Sequence, residues 1–180
     1  APETERRVQE IARRQGYRRS ATARALVKGR SGILVFIADN LSHPFSGQIA
    51  EHAERVARQL GFFLVMVGTT PGYDVQSLVK EVEYFADGLM LGVTQLSDSE
   101  IEELSRQIPL VALNRSSDRY PCVTVDDTEA ASDLFSQIAE LGHRRVGYLG
   151  SSTNTYTDTR RFALYESMAL RHGLEFVDCG

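Results

Sequence analysis

No apolar run in this 180-residue chain approaches the length of a membrane span, and no leader pattern opens it, so it reads as a cytosolic chain rather than a helical membrane protein. Cysteine is nearly absent. Cys122 and Cys179 lie far apart and make no C-x-x-C motif, which favours two reduced thiols over a disulfide or a metal pair. The loops that carry common enzymatic chemistry are missing too. There is no G-x-G-x-x-G, no phosphate loop ending in Lys-Ser/Thr and no G-x-S-x-G, and no paired carboxylates or metal-ligand cluster stand out. The four histidines are dispersed. His52 and His172 fall on helical stretches with polar neighbours, and His143 follows a glycine at a helix end. His43 sits in the loop after the first strand, where it could touch a ligand, but local packing or capping is the better reading. No catalytic residue, metal or cofactor is expected, and the chain is not read as an enzyme.

What is present is a sharp charge asymmetry. Of the chain's 20 Lys/Arg and 24 Asp/Glu, residues 1–30 hold nine basic and three acidic side chains, a net +6. The rest therefore carries −10, within a total of −4. A basic arm on an acidic body is the pattern of an arm that meets a polyanion while the body does not. A solvated helix face is the bland alternative, and the concentration of charge in one arm argues against it.

The arm divides into two pieces. Pro2, Glu3 and Glu5 open a helix, with proline in the first turn and carboxylates at the positive end of its dipole. Val8, Ile11 and Ala12 make an apolar stripe too narrow to be a core, so this helix needs a partner. The start without Met and the weak N-cap Ala1 suggest that its partners precede the chain. After Gly16, Ser20 is a good N-cap for a helix to about Lys28, followed by Gly29 and Gly32. Two turns fall short of the ~12–15 residues an isolated helix needs in water, so this segment is expected to order only when bound.

From Ser31 onward strands and helices alternate. Strands are expected at 33–38, 62–67, 88–93, 109–113, 123–125, 146–149 and 174–177. Helices are expected at 44–60, 75–85, 99–108, 127–141 and 157–172. The run I-L-V-F-I-A at 33–38 reads as a strand buried on both faces. The helix at 44–60 offers Ile49, Ala53, Val56, Ala57 and Leu60, and that at 127–141 offers Ala131, Leu134, Phe135 and Ile138. Such alternation predicts parallel βαβ units in a doubly wound α/β fold, with ligands beyond the carboxyl ends of the strands. The stop just after a strand suggests that the fold continues past Gly180.

The arm sequence A-R-R-Q-G-Y-R-R-S-A-T-A-R-A-L-V-K-G-R-S-G, followed by D-N-L-S-H-P-F, resembles the lactose/galactose repressor family of bacterial transcription regulators. The landmarks A-D-G-L-M-L, I-P-L-V-A-L-N-R, V-T-V-D-D, A-E-L-G-H-R-R-V-G-Y-L-G and T-R-R-F-A-L-Y are similar to that family's in order and spacing, across essentially the whole chain. The resemblance implies periplasmic-binding-protein-like parallel sheets flanked by helices, preceded by the last helix of a helix-turn-helix headpiece (1–16) and a hinge helix (17–32). Residues 33–125 would form the first effector-binding lobe and 126–180 part of the second.

By that resemblance Leu26 stands where the family inserts a leucine between base steps, and Tyr17, Ser20, Thr22 and Ala23 match positions at the DNA backbone or groove. Arg18, Arg19 and Arg24 suit phosphates by charge alone. Phe45, Ser46 and Asn114 would line the effector cleft from the first lobe, Thr157 and Arg161 from the second. An aromatic face, hydroxyls, an amide and a guanidinium suit a polar ligand such as a sugar or related metabolite. A helix-surface salt bridge is the competing role for Arg161.

Two departures stand out: Arg19-Ser20 replaces the family's Pro-Asn, and Leu164 replaces the glycine before the aromatic Tyr165. The implied partners are operator DNA, a small-molecule effector and a second copy of the chain in a homodimer or higher oligomer. No membrane is implied. A solute-binding protein of a transport system shares the lobe architecture, but it would carry no basic arm.

Overall fold

The computed structural model describes residues 2–15, 29–70, 73–92, 96–150 and 156–180. The positions expected to contact DNA, Tyr17, Arg18, Arg19, Ser20, Thr22, Ala23, Arg24 and Leu26, lie outside the described residues. The first helix, α1 (Pro2–Arg14), has Glu3 and Glu5 in its first turn and an Arg14–Glu10 ion pair at 3.4 Å one turn apart. Its stripe residues Val8 and Ile11 remain 60% and 49% exposed. Gly29 and Gly32 take left-handed backbone at φ 63° and 77°, conformations open to glycine at little cost.

The body follows the expected alternation: β1 (Ile33–Ala38), α2 (Pro44–Gln59), β2 (Phe63–Gly68), α3 (Val75–Val82), β3 (Gly88–Gly92), α4 (Asp98–Gln107) and β4 (Leu110–Leu113). Then come β5 (Cys122–Val123), α5 (Thr128–Glu140), β6 (Arg145–Tyr148), α6 (Tyr156–Arg171) and β7 (Glu175–Asp178). The first five strands form one parallel sheet in the order β2-β1-β3-β4-β5. Strands β6 and β7 pair in parallel as a separate two-stranded sheet.

Side chains alternate across β1, an interior strand between β2 and β3. Val35 and Ile37 meet Leu89, Leu91, Leu110 and Ala112 beneath α3 and α4. Phe36 and Ala38 point the other way, against Ala50 of α2 and Leu113. The expectation of a strand buried on both faces is borne out: residues 35–38 are each at most 1% exposed. Phe36 also dictates its neighbour, because a Cβ on Gly92 would sit 2.6 Å from its ring. The second core joins α5 and α6 through Ala131, Phe135, Met168, Ala169 and Leu174, with Val146 of β6 and Phe176 of β7 packed against it. Leu164 packs against this cluster, as does Tyr165.

Three expectations need correction. The helix read to residue 85 stops at Val82, where Phe85 N–H and Ala86 N–H both return to the Val82 carbonyl and turn the chain toward Asp87. Tyr84 and Phe85 are left 86% and 44% exposed. The buried face of α2 is Ser46, Ala50 and Ala57, whereas Val56 and Leu60 are 52% and 69% exposed. Small residues let α2 lie close to β1; Ile49 packs partly against that core, and Val56 turns outward along an open groove. On α5 only Ala131 and Phe135 are buried, and Leu134 is 49% exposed.

Candidate functional site

The chain runs from β1 to β2 on one side and returns to β3 on the other, so the order in which the parallel strands are connected reverses between β1 and β3. Ligands of such sheets bind outside the carboxyl ends of the strands at that reversal. Asp39 follows β1 there. Its half-buried carboxylate accepts the Thr69 hydroxyl at 2.9 Å, and Thr69 itself is 6% exposed at the end of β2. Burial pushes the Asp39 carboxyl above its ordinary range, against the opposing Thr69 bond and Arg115 charge.

The next residues form a turn closed by Ser42 N–H on Asn40 Oδ1 at 2.9 Å. His43 then caps α2, its Nδ1 accepting the Phe45 N–H at 3.3 Å ahead of Pro44 in the first turn. The capping role read for this histidine is thus borne out. Ser46 turns inward at 8% exposure. Phe45, 42% exposed, joins Ile49, His52, Ala53, Val56 and Met90 along the groove beside α2.

At the end of β4, Asn114 has φ 57°, and its N–H donates to the Val123 carbonyl at 2.8 Å. Asparagine tolerates this left-handed conformation better than most residues. Arg115 follows and is buried, 6% exposed. Arg115 donates to Asp98 Oδ1 at 2.9 Å and to the Leu96 carbonyl at 2.5 Å. Tyr120 donates to the same Asp98 oxygen at 2.7 Å. That hydroxyl first, then the Arg115 charge, hold the Asp98 carboxyl below its ordinary range against the cost of burial.

The two-stranded unit reaches this cluster through α6. The Tyr156 ring lies 4.8 Å from the Arg115 guanidinium carbon. Its hydroxyl donates to the Ser116 carbonyl at 3.1 Å and accepts the Ser116 N–H at 3.3 Å. One turn later Arg160 donates to Thr124 Oγ1 at 3.0 Å. Thr157 is half-buried, and Arg161 forms an ion pair with Asp127 at 3.5 Å while 49% of its side chain stays exposed. The salt bridge weighed for Arg161 is present.

Phe45 and Ser46 thus stand side by side in sequence on α2 but face different ways, Thr157 and Arg161 lie one turn apart on α6, and Asn114 precedes the Arg115–Ser116 pair that α6 meets. Asp39, Thr69, Arg115 and Tyr156 were not singled out from the sequence. Position in a segment following a predicted strand was the only signal available, and it covered all four. Among the described residues, no group of three or more His, Cys, Asp or Glu side chains could hold a metal ion, and no helix is long and apolar enough to cross a membrane.

Residues 31–179 match the sequence profile described as periplasmic binding proteins and sugar binding domain of LacI family. The chain belongs to that family. It is similar to the transcriptional regulator GalR of Salmonella typhimurium, 28% identical over 165 residues that cover 87% of this chain and 47% of that protein. Catabolite control protein A of Priestia megaterium is 24% identical over 187 residues, 98% of this chain and 55% of that protein. The chain thus spans about half the length of the curated relatives it matches. The crystal structure of the Cra regulator of Pseudomonas putida, in complex with fructose 1-phosphate, superposes with a TM-score of 0.68 at 20% identity. That superposition covers 82% of this chain and 57% of that one, and it is a likeness of fold. These LacI-family relatives are transcription regulators, not enzymes.

Proposed function

We propose that this chain is the effector-sensing part of a cytoplasmic, homodimeric transcription regulator, a repressor whose operator affinity is set by a sugar or related metabolite bound between the two α/β units. The observation that carries this reading is the family match over residues 31–179 in a chain whose first 30 residues hold a net charge of +6. A solute-binding protein would share the match but has no use for a basic arm. In this reading residues 1–16 are the last helix of a DNA-binding headpiece and 17–32 a hinge helix with Leu26 as its wedge between base steps. Tyr17, Ser20, Thr22 and Ala23 meet the DNA, while Arg18, Arg19 and Arg24 pair with phosphates. The effector meets Phe45, Ser46 and Asn114 on one side and Thr157 and Arg161 on the other.

The relative's ligand makes sugar phosphates the first class to test, since Arg161 offers a guanidinium for a phosphate and Thr157 and Asn114 offer hydroxyl and amide partners. Calorimetric titration with fructose 1-phosphate, the parent hexoses and their phosphates should identify a ligand. Thr157→Ala and Arg161→Ala should then weaken its binding about tenfold or more, in line with losing a charge-assisted bond. Failure of every saccharide to bind, or full affinity in both variants, counts against the reading. In the intact regulator, Leu26→Ala should lower operator affinity and reduce DNA bending in a gel-shift assay. An unchanged bend would sink the hinge assignment.

A further inference from the structure

Four contacts in the region of α6 divide its amino-terminal half into two stripes. Tyr156 and Arg160, one turn apart, reach the five-stranded unit and the segment leaving it: Tyr156 to Arg115 and Ser116, Arg160 to Thr124. Thr157 and Arg161 form the adjacent stripe, rotated about 100° around the helix axis. Arg161 turns toward Asp127, just before α5. One stripe therefore binds the first unit, and the stripe beside it holds the two residues proposed to meet the effector.

The receiving surface is built to stay put. Arg115 is buried, held by Asp98 and the Leu96 carbonyl, and Asp98 is held in turn by Tyr120. Tyr156 stacks on that fixed cation and uses its hydroxyl twice on one residue, as donor to the Ser116 carbonyl and acceptor from its N–H. A ring that merely filled space would need neither bond. Two hydrogen bonds and a cation–π contact at one side chain fix position and angle together.

We infer that Tyr156 is a positioning residue: by docking on Arg115 and Ser116 it sets the orientation of α6 against the five-stranded unit, and so sets where Thr157 and Arg161 stand. The part concerning Thr157 and Arg161 rests on the effector reading above. The docking itself is independent of any ligand. A helix moves as a rigid rod over two turns, so a ligand that pulls Thr157 and Arg161 must rotate or release the Tyr156 stripe. Lobe orientation and effector occupancy thereby become two readings of one contact.

The test uses the 180-residue chain, whose size suits solution NMR. Residual dipolar couplings report the relative orientation of the two units without any ligand, and hydrogen exchange of the Ser116 amide reports the hydroxyl bond. Tyr156→Phe keeps the ring and removes the hydroxyl. It should speed Ser116 exchange about tenfold, the loss of roughly one hydrogen bond, and leave the units between the wild-type orientation and that of Tyr156→Ala. Tyr156→Ala should shift the orientation further while each unit keeps its own couplings.

A Tyr156→Ala chain that folds and holds the wild-type orientation overturns the inference. Should that variant not fold, Tyr156→Phe combined with Arg160→Ala removes both polar fasteners but keeps the ring, and an unchanged orientation there overturns it equally. If wild-type chain binds no saccharide at all, the effector reading fails, and the orientation result still decides whether Tyr156 fastens the two units.

Discussion

The carboxylate of Asp87 receives the N–H of Ser31 at 2.8 Å and its hydroxyl at 3.0 Å, across 56 residues of sequence. Its second oxygen takes the Gly32 N–H at 2.8 Å, and the Asp87 N–H itself donates to the Ile33 carbonyl at 2.7 Å. The point where the basic arm joins the sheet is therefore closed by one side chain. Burial would raise this carboxyl, but the Ser31 and Gly32 bonds, helped by the Arg30 charge, hold it below its ordinary range.

Replacing Asp87 by Ala leaves two backbone N–H groups without that acceptor, and should cost about 1–3 kcal/mol in urea melts near neutral pH. Because the folded carboxyl is depressed, its contribution is complete above the unfolded value of about 4 and is lost as pH falls through the lower folded value. The stability gap between wild type and Asp87→Ala should therefore narrow at acid pH. A gap that stays constant from neutrality to pH 3 would show that the ionised carboxylate is not what closes the junction.

Gly92→Ala should destabilise the first unit by about 1–3 kcal/mol, the usual cost of overpacking a core. Its new methyl would meet ring carbons of Phe36 at 2.6 and 3.0 Å, and Phe36 is 1% exposed with little room to move. Phe36→Leu in the same chain should restore part of that loss. Strict additivity of the two changes in thermal melts would mean that the ring is not the obstacle.

Asn114 separates backbone from ligand effects. With φ at 57°, Asn114→Gly should leave the melting temperature nearly unchanged, whereas Asn114→Ala should lower stability by about 1–2 kcal/mol. Both variants lack the amide, so both should lose affinity for whichever saccharide the wild type binds. Full affinity in Asn114→Gly would remove Asn114 from the effector site.

The groove beside α2 bears on the proposed homodimer. Val56, 52% exposed, and Ile49 line it with His52 and Met90, away from the residues proposed to meet the effector except at the Phe45 end. Val56→Asp is a surface change expected to alter stability by no more than about 0.5 kcal/mol. If this face joins two copies, the variant should lower the weight-average mass in sedimentation equilibrium relative to wild type. A mass identical to that of wild type at every concentration would remove this face from the interface.

The α/β class and the order of its elements were legible because each is a local property. A buried strand such as β1 is a short unbroken apolar run, and the helices showed as apolar periodicity, although the Ser97–Glu100 capping box that starts α4 was not read. The family landmarks were legible for the same reason, as was the capping histidine beside Pro44. Element ends moved by a few residues where a turn depends on distant contacts, as at Val82.

Periodicity along one helix could say that α2 has an apolar side, but not which side meets the sheet. That was decided by Phe36 and Ala38, which accept the small face of Ala50 and leave Val56 outside. The Asp87–Ser31 closure and the Tyr156–Arg115 stack join residues from different elements. Each depends on the strand order that brings those elements together. The sequence alone determined which pieces form and that one end of the chain is basic. Only the tertiary structure decided which surfaces meet, because a side chain's partner is set by distances across the fold and not by its neighbours along the chain.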